Sequence, residues 1–236
     1  TAVGPAAGDA ITTGVRNTAV GFSALSTLTT ASYNTALGAF ALSDNTAANN
    51  VALGYYALAV NSTGTNNTAA GMDSLKANTT GDSNTAFGNS ALGSNTTADN
   101  NTAVGLSALY ANTTGTRNTA VGGTALDACT TGNYNTAVGY NSGGAVTTGA
   151  SNAFFGDYAG AGTTTASYNS AVGQASLVSN TTGASNTAIS FQALNANTTA
   201  DNNTAVGNNA LLLNTTGAGC TALGAESLES HTTGNN

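Results

Sequence analysis

A five-residue core, Asn-Thr-Ala-Val-Gly, recurs along the whole chain at a spacing of 17 residues. There are fourteen copies, and twelve of the thirteen intervals between them are 17 residues long, whereas one is 16. A fixed period over a full chain is the signature of a solenoid, in which each unit stacks on the next. The repeat therefore predicts a single solenoid domain over residues 1–236. Ser190 ends one copy, and the others end on Gly4, Gly21, Gly38, Gly54, Gly71, Gly88, Gly105, Gly122, Gly139, Gly156, Gly173, Gly207 and Gly224.

The residues before this glycine predict a short β-strand in every coil. The position directly before it is apolar in all fourteen copies and is usually Val, Leu, Ile or Phe, as strands prefer. The position before that is Ala in thirteen copies, and Phe154 is the exception. Because neighbouring strand residues point to opposite faces, we expect the bulky column in the coil's own core. The alanine face then invites close approach of another chain.

A second apolar row lies four residues after the glycine, where Leu is usual and Gly8, Gly143 and Gly160 replace it. We expect this row to close the interior, with the two variable residues before it at an exposed corner. Thr-Thr-Gly segments are typical of turns, and the Asn before each strand predicts hydrogen-bonded ladders between coils. Each coil is thus predicted to contain two short strands and two turns. The fold class is all-β, a parallel β-solenoid about 65 Å long at ~4.8 Å per coil, and three-fold packing is the preferred arrangement for so narrow a roll.

Charge and composition exclude several classes of protein. Only 6% of the residues are charged, and the formal net charge is −7. The three basic residues, Arg16, Lys76 and Arg117, are too few to neutralise a run of phosphates, which argues against nucleic acid as a partner. No apolar run approaches the ~20 residues that span a bilayer. A chain this polar is often disordered, but here the apolar residues return in phase with the repeat, which favours a folded array.

The sequence predicts no catalytic, cofactor-binding or metal site. The single histidine, His231, occupies the Asn position of the last Thr-Thr-Gly turn and has no repeating partner. Cys129 and Cys220 replace Asn at different phases of the repeat, and at ~4.8 Å per coil they lie about 25 Å apart, beyond disulfide reach. The glycine-rich segment 156–162 lacks the lysine of a phosphate-binding loop. Calcium-binding solenoids repeat an Asp in each coil, whereas the acids here are scattered: Asp73, Asp82, Asp99, Asp127, Asp157 and Asp201.

The pattern Ala-Val-Gly-x-x-Ala-Leu, as in residues 103–109, resembles the head repeats of trimeric autotransporter adhesins of the YadA type. The coil here is longer, with Asn-Thr-Thr-Gly as an apparent insertion. The whole unit, as in residues 118–139, looks more like the repeat region of predicted tail-fibre proteins from phages and bacteria. The resemblance covers essentially the full chain. It implies a left-handed β-roll, a homotrimer, and a place outside the cell, on the cell surface or on a virion.

We therefore expect a structural or adhesive fibre or stalk without catalysis, with a cell-surface glycan or host receptor as its possible ligand. The chain opens and stops within a repeat, which predicts either a segment of a longer array or a subunit that stacks head to tail into a filament. Ice binding is the alternative from another class, and its discriminating feature would be an exposed, planar array of two Thr per coil. Asn-x-Ser/Thr triplets are frequent, and we interpret them as turn residues rather than glycan acceptors. They include the triplets that begin at Asn61, Asn78, Asn95, Asn112, Asn180, Asn197 and Asn214.

Overall fold

The structure, a computed structural model, describes residues 1–235, and these residues form fourteen short strands. The chain divides into two compact units, Thr1–Arg117 and Asn118–Asn236. The first unit contains β1 (Ala2–Val3), β2 (Thr18–Val20), β3 (Thr35–Leu37), β4 (Val51–Leu53), β5 (Thr68–Ala70), β6 (Thr85–Phe87) and β7 (Thr102–Val104). The second contains β8 (Thr119–Val121), β9 (Thr136–Val138), β10 (Ala153–Phe155), β11 (Ser170–Val172), β12 (Thr187–Ile189), β13 (Thr204–Val206) and β14 (Thr221–Leu223).

Within each unit, every strand pairs in parallel with the next one along the chain, and the repeat sets the register. Between β2 and β3, for example, Thr18 lies against Thr35, Ala19 against Ala36 and Val20 against Leu37. In the second unit, β12 and β13 pair in the same register. Residues at equivalent positions of the repeat therefore stack on one another from coil to coil. The prediction of an all-β parallel solenoid is confirmed.

The two faces of each strand are reversed relative to the sequence prediction. The alanine column points into the coil and is buried, with Ala36 and Ala52 both at 0% exposure. The bulky column points outward, and Leu37 is 51% exposed and Phe87 46%. The expectation that the bulky residues form the core was wrong, as was the expectation of an alanine face free to meet another chain. The coil is so narrow that the leucine row and the buried Asn side chains fill its interior, which leaves space for only a methyl group opposite.

The second predicted strand of each coil does not form. Its leucine row lies in a turn segment, where Leu25 and Ser23 have φ of 51° and 52°. A left-handed backbone costs about 1–2 kcal/mol for a residue other than glycine, and burying a Leu side chain contributes about 1.5–3 kcal/mol. The amides still reach neighbouring coils, because Ser23 N–H donates to the Pro5 carbonyl and Leu25 N–H to that of Ala41. Burial and these inter-coil hydrogen bonds thus hold leucine in a conformation that it rarely adopts.

Buried asparagines join the coils, as the sequence predicted. In the column that precedes the strands, Asn186 is typical: its Nδ2 donates to the Ala200 carbonyl at 2.8 Å, and its Oδ1 accepts the Asn203 N–H at 3.0 Å. A second column lies in the turns, where Asn61 Nδ2 donates to Asn45 Oδ1 at 2.7 Å and to the Gly64 carbonyl at 2.7 Å. These neutral ladders place polar links inside an almost uncharged solenoid.

The 16-residue coil is one residue shorter than the others, and the missing residue belongs to the turn. In other coils, the buried Asn side chains donate to the carbonyl of the turn glycine or its equivalent, 14 and 3 residues further on. In the short coil, Asn34 and Asn45 both donate to the Ala47 carbonyl, 13 and 2 residues further on. Ala47 therefore replaces the turn glycine, and one turn threonine is missing. The strand and leucine segments keep their register.

The second unit contains one rearranged stretch of core around Phe154, the exception in the alanine column. Phe154 is fully buried, and the leucine row is interrupted beside it by Gly143 and Gly160. A Cβ built on Gly160 would lie 2.5–2.7 Å from ring carbons of Phe154, and one on Gly143 would lie 2.9 Å from the same ring. The ring thus occupies the volume that leucine fills in other coils.

Candidate interaction surfaces

The most extensive candidate surface is the outward face of the strands, which carries one apolar column per unit. In the first unit, Leu53 and Val104 are 37% and 38% exposed, and in the second, Val172 and Ile189 are 41% and 40%. The residue two positions earlier in each strand points the same way, is Thr in most coils and carries no charge in any. We call the apolar residues of this face the outer apolar column. They are Val20, Leu37, Leu53, Ala70, Phe87 and Val104 in the first unit, and Val121, Val138, Phe155, Val172, Ile189, Val206 and Leu223 in the second.

An uncharged face of this kind can pack against another apolar surface, because a contiguous exposed apolar patch marks an interaction site in soluble proteins. The face does not carry two Thr in every strand. Most strands present one polar or small residue and one apolar residue, whereas β4 presents Val51 and Leu53, and the apolar residue varies in size from Ala70 to Phe87. The strand face therefore lacks the planar two-Thr array that the sequence set as the mark of ice binding.

A second candidate surface is a group of four aromatic side chains on the first unit, which we call the aromatic cluster: Phe22, Phe40, Tyr55 and Tyr56. The rings of Phe40 and Tyr56 stack, with centroids 4.8 Å apart and planes 6° apart. The Phe22 and Tyr55 rings each meet Phe40 edge to face, at 5.3 Å and 6.2 Å. These rings come from three successive coils and lie just after the strand-ending glycine.

A charged pair borders the aromatic cluster. Lys76 Nζ lies 5.0 Å from the centroid of the Tyr56 ring and 2.9 Å from Asp73 Oδ1. The Asp73 carboxylate raises the pKa of Lys76, so the amine remains charged at neutral pH. The sequence analysis placed the two variable residues of each coil at an exposed corner, and all four rings and Asp73 occupy such positions. It did not identify the contacts among the rings or the position of Lys76 beside them. The sequence feature that could have grouped them is their position in the repeat, because all six follow a strand-ending glycine by one to five residues.

Cys220 and His231 meet in a small recess that Thr221, Leu228 and Asn235 also line. His231 Nε2 lies 3.5 Å from Cys220 Sγ and 2.7 Å from the Gly234 carbonyl oxygen. Because a carbonyl oxygen only accepts hydrogen bonds, Nε2 carries the ring proton in this geometry. The same nitrogen cannot then accept the thiol proton, so the pair is not arranged as a nucleophile and its base. His231 takes the place of a turn Asn, as the sequence predicted.

The two cysteines are free thiols. Among the described residues, no group of three or more His, Cys, Asp or Glu side chains is placed to share a metal ion. The same residues include no helix with the length and apolarity that a bilayer span requires.

Seven Asn-x-Ser/Thr triplets, those that begin at Asn61, Asn78, Asn95, Asn112, Asn180, Asn197 and Asn214, fall on the turn column of buried asparagines, whereas those that begin at Asn66, Asn100 and Asn202 lie at exposed positions. Asn61, Asn78 and Asn95 have 0% exposure. Their Nδ2 atoms, which would carry a glycan, donate instead to carbonyl and amide oxygens in the same column, as between Asn78 and Asn61 at 2.8 Å. In this fold these side chains connect neighbouring coils.

Cys129 replaces a turn Asn and is expected to resist alkylation in the folded protein. Its Sγ is buried against the Gly132 carbonyl at 3.7 Å, and burial raises the pKa of the thiol to about 11. At pH 8 the thiolate fraction is therefore about a hundred-fold lower than for an ordinary thiol. Iodoacetamide labelling followed by peptide mass spectrometry should show slow reaction of Cys129 in the native state and ordinary reaction in guanidinium.

The same shift gives a pH dependence of stability. Because the unfolded thiol loses its proton at a lower pH than the folded one, the contribution of Cys129 is intact below the unfolded pKa and declines as pH rises toward 11. In the labelling experiment, a reaction of Cys129 with iodoacetamide that is as fast in the native protein as in guanidinium would contradict the burial of this thiol.

Comparison with known proteins finds no matching family model, no matching curated protein and no matching solved structure. The likeness to fibre repeats thus rests on the repeat residues.

Proposed function

We propose that this chain is a segment of an extracellular structural or adhesive fibre, carried on a cell surface or a virion. Copies of the chain associate laterally, as a homotrimer, through the outer apolar column. The observation that carries this proposal is that the column is exposed or half-exposed in β2 to β7 of the first unit and in β8 to β14 of the second, in register within each unit and without a charged neighbour on the same face. A partner copy offers a surface of the same composition and period.

The energetics favour association along the whole column. Burial of apolar surface stabilises by about 25 cal/mol per Å², and the column repeats the same side-chain type in successive coils. Leu37 and Phe87 alone are about half exposed, at 51% and 46%. A narrow roll whose interior holds mainly Ala, Leu and Asn gains further apolar burial by covering this face. The trimeric state follows the resemblance to the adhesin heads.

The structure also fits a mechanical role. Each coil is linked to its neighbour by strand hydrogen bonds, by amides of the turn segments and by buried Asn side chains, as at Asn186. Thr hydroxyls add a further set, since Thr181 Oγ1 donates to the Thr198 carbonyl at 2.9 Å. Force along the stack would thus act on many similar bonds per coil. Such a unit suits a shaft more than a site of chemistry.

The assembly state tests the proposal. Light scattering of the purified chain is expected to give about three times the chain mass of 22.7 kDa, and electron microscopy short rods. Replacement of two column residues, Leu37→Glu with Phe87→Glu, buries charge at the interface and should convert the trimer to monomers. The matched control is Thr63→Glu with Thr97→Glu, which adds the same charge at exposed turn positions and should leave the mass unchanged.

Other results of the same measurements would favour one of the alternative functions. Long filaments from the wild-type chain would support head-to-tail stacking in place of lateral association. A wild-type monomer would contradict the trimer, and thermal hysteresis of that monomer would then test ice binding.

A further inference from the structure

The aromatic cluster departs from the repeat in a way that the fold does not require. Phe22 and Tyr55 occupy the first position after the strand-ending glycine, which holds Asn89 or Gly123 in some coils and Leu106, Tyr140 or Phe191 in others. The next position holds Phe40, Tyr56 and Tyr158 in three coils and a small or polar residue, such as Ser107, in the others. Because coils with small or polar residues at these positions have the same backbone course, the four rings are not needed to form a coil. Four aromatic residues on three successive coils therefore indicate a selected surface.

The rings divide into a support and a contact surface. Phe40 and Tyr56 are half-buried and stacked on each other, and the Lys76 ammonium group lies over the Tyr56 ring. Phe22 and Tyr55 are outermost, with 51% and 48% exposure. The residue between them in the same column is Ala39, which is too small to cover either ring. The inner pair thus holds two exposed rings on either side of a small residue.

The chemistry around these rings matches a polyhydroxylated ligand. The C–H groups of a pyranose ring carry partial positive charge, and they pack on the negative face of an aromatic ring. Sugar hydroxyls need both donors and acceptors, and the Lys76 ammonium and the Asp73 carboxylate provide one of each at 2.9 Å from one another. The pair has no net charge. An anionic ligand would have to compete with Asp73 for Lys76 and would meet a chain of net charge −7.

We propose that the aromatic cluster is a binding site for a neutral polysaccharide. The sugar rings pack on Phe22 and Tyr55, and their hydroxyls bond to Lys76 and Asp73. Phe22 and Tyr55 are two coils apart, about 10 Å at ~4.8 Å per coil. An oligosaccharide is therefore needed to contact both rings, and single sugars bind weakly. This proposal adds a ligand to the fibre and does not depend on the assembly state.

Affinity electrophoresis of the full chain tests the site, with galactomannan, mixed-linkage β-glucan and dextran as neutral probes and alginate as the anionic probe. The wild-type chain is expected to be retarded by at least one neutral polymer. The double variant Phe22→Ala/Tyr55→Ala should weaken that retardation by about a hundred-fold in dissociation constant, at about ten-fold for each ring. Lys76→Ala should weaken it less, because the rings remain.

A second aromatic pair provides the matched control. Tyr140 and Tyr158 in the second unit meet edge to face at 5.5 Å and are 52% and 43% exposed, but no lysine lies over them. Tyr140→Ala should retain full retardation. Circular dichroism of each variant checks that the fold is kept, since the replaced rings are exposed. The proposal is overturned if no neutral polymer retards the wild-type chain, if the double variant is retarded equally, or if only alginate binds.

Discussion

Phe154→Ala is expected to lower the free energy of unfolding of the second unit by about 3–5 kcal/mol, the usual cost of removing a buried Phe. The ring is fully buried. Its neighbours in the leucine row are Gly143 and Gly160, which have no side chains to move into the space. The resulting cavity can therefore collapse only by moving backbone. Chemical denaturation followed by circular dichroism measures the loss, and hydrogen exchange of β9 to β11 locates it.

The same packing predicts a rescue. Gly143 and Gly160 have φ of 61°, and leucine adopts φ of 52° at the equivalent Leu177. Leucine is thus compatible with the backbone at both sites. The Phe154 ring blocks it at Gly160, and at Gly143 the same ring and the end of the Leu126 side chain, 3.0 Å from the added Cβ, would have to move. Gly160→Leu alone should destabilise, whereas the triple variant Phe154→Ala/Gly143→Leu/Gly160→Leu restores the consensus coil and most of the lost stability.

A matched control removes an aromatic ring of the same kind from the surface. Phe191 is 42% exposed, and Phe191→Ala should change the free energy of unfolding by less than about 1 kcal/mol. If the triple variant is no more stable than Phe154→Ala, the three positions do not share one volume, and the proposed compensation between them is wrong.

The sequence predicts much of this fold because its period is visible without any structure. The strand positions, the leucine row and the Asn ladders each follow from a column of like residues at 17-residue spacing. The sequence pattern does not show which face of each strand points into the coil. Alternation places Ala and Val on opposite faces, but it cannot say which face is inside, and the size of the cavity decides that. The prediction of a second strand was wrong because a leucine at a left-handed φ, as at Leu25, has no sequence signature.

Side-chain groups that join different columns are hardest to predict. Phe154 and Gly160 are anomalies in separate columns, and only their contact shows that one compensates for the other. A comparison of side-chain volumes could have suggested this compensation, since neighbouring coils lose two leucine side chains and gain one phenyl ring. In the aromatic cluster, likewise, the sequence placed the two variable residues of each coil at an exposed corner, and all four rings occupy such positions. The stacking of Phe40 on Tyr56 and the position of Lys76 over Tyr56 depend on side-chain torsions that the repeat does not fix.

Asn186→Asp is expected to be as damaging as the loss of Phe154, at about 3–5 kcal/mol near neutral pH, because it places an uncompensated charge in the interior. One carboxylate oxygen can still accept the Asn203 N–H. The other faces the Ala200 carbonyl oxygen, to which the native Nδ2 donates at 2.8 Å. Asn186→Ala leaves two buried groups unpaired at about 1–3 kcal/mol each but adds no charge, so its cost should not change with pH.

The pH dependence distinguishes this explanation from a general loss of packing. Burial and the facing carbonyl both raise the pKa of the introduced carboxyl above its unfolded value of about 3.9. The protonated form can donate to Ala200 as the amide does, so the variant should approach wild-type stability near pH 3–4. It should lose stability as pH rises through the raised pKa. Asn208→Asp, at an exposed position, adds the same charge and should track the wild-type profile. A deficit for Asn186→Asp that stays constant from pH 3 to pH 8, a range of about five units around the unfolded carboxyl pKa, would rule out the buried amide as a donor in the ladder.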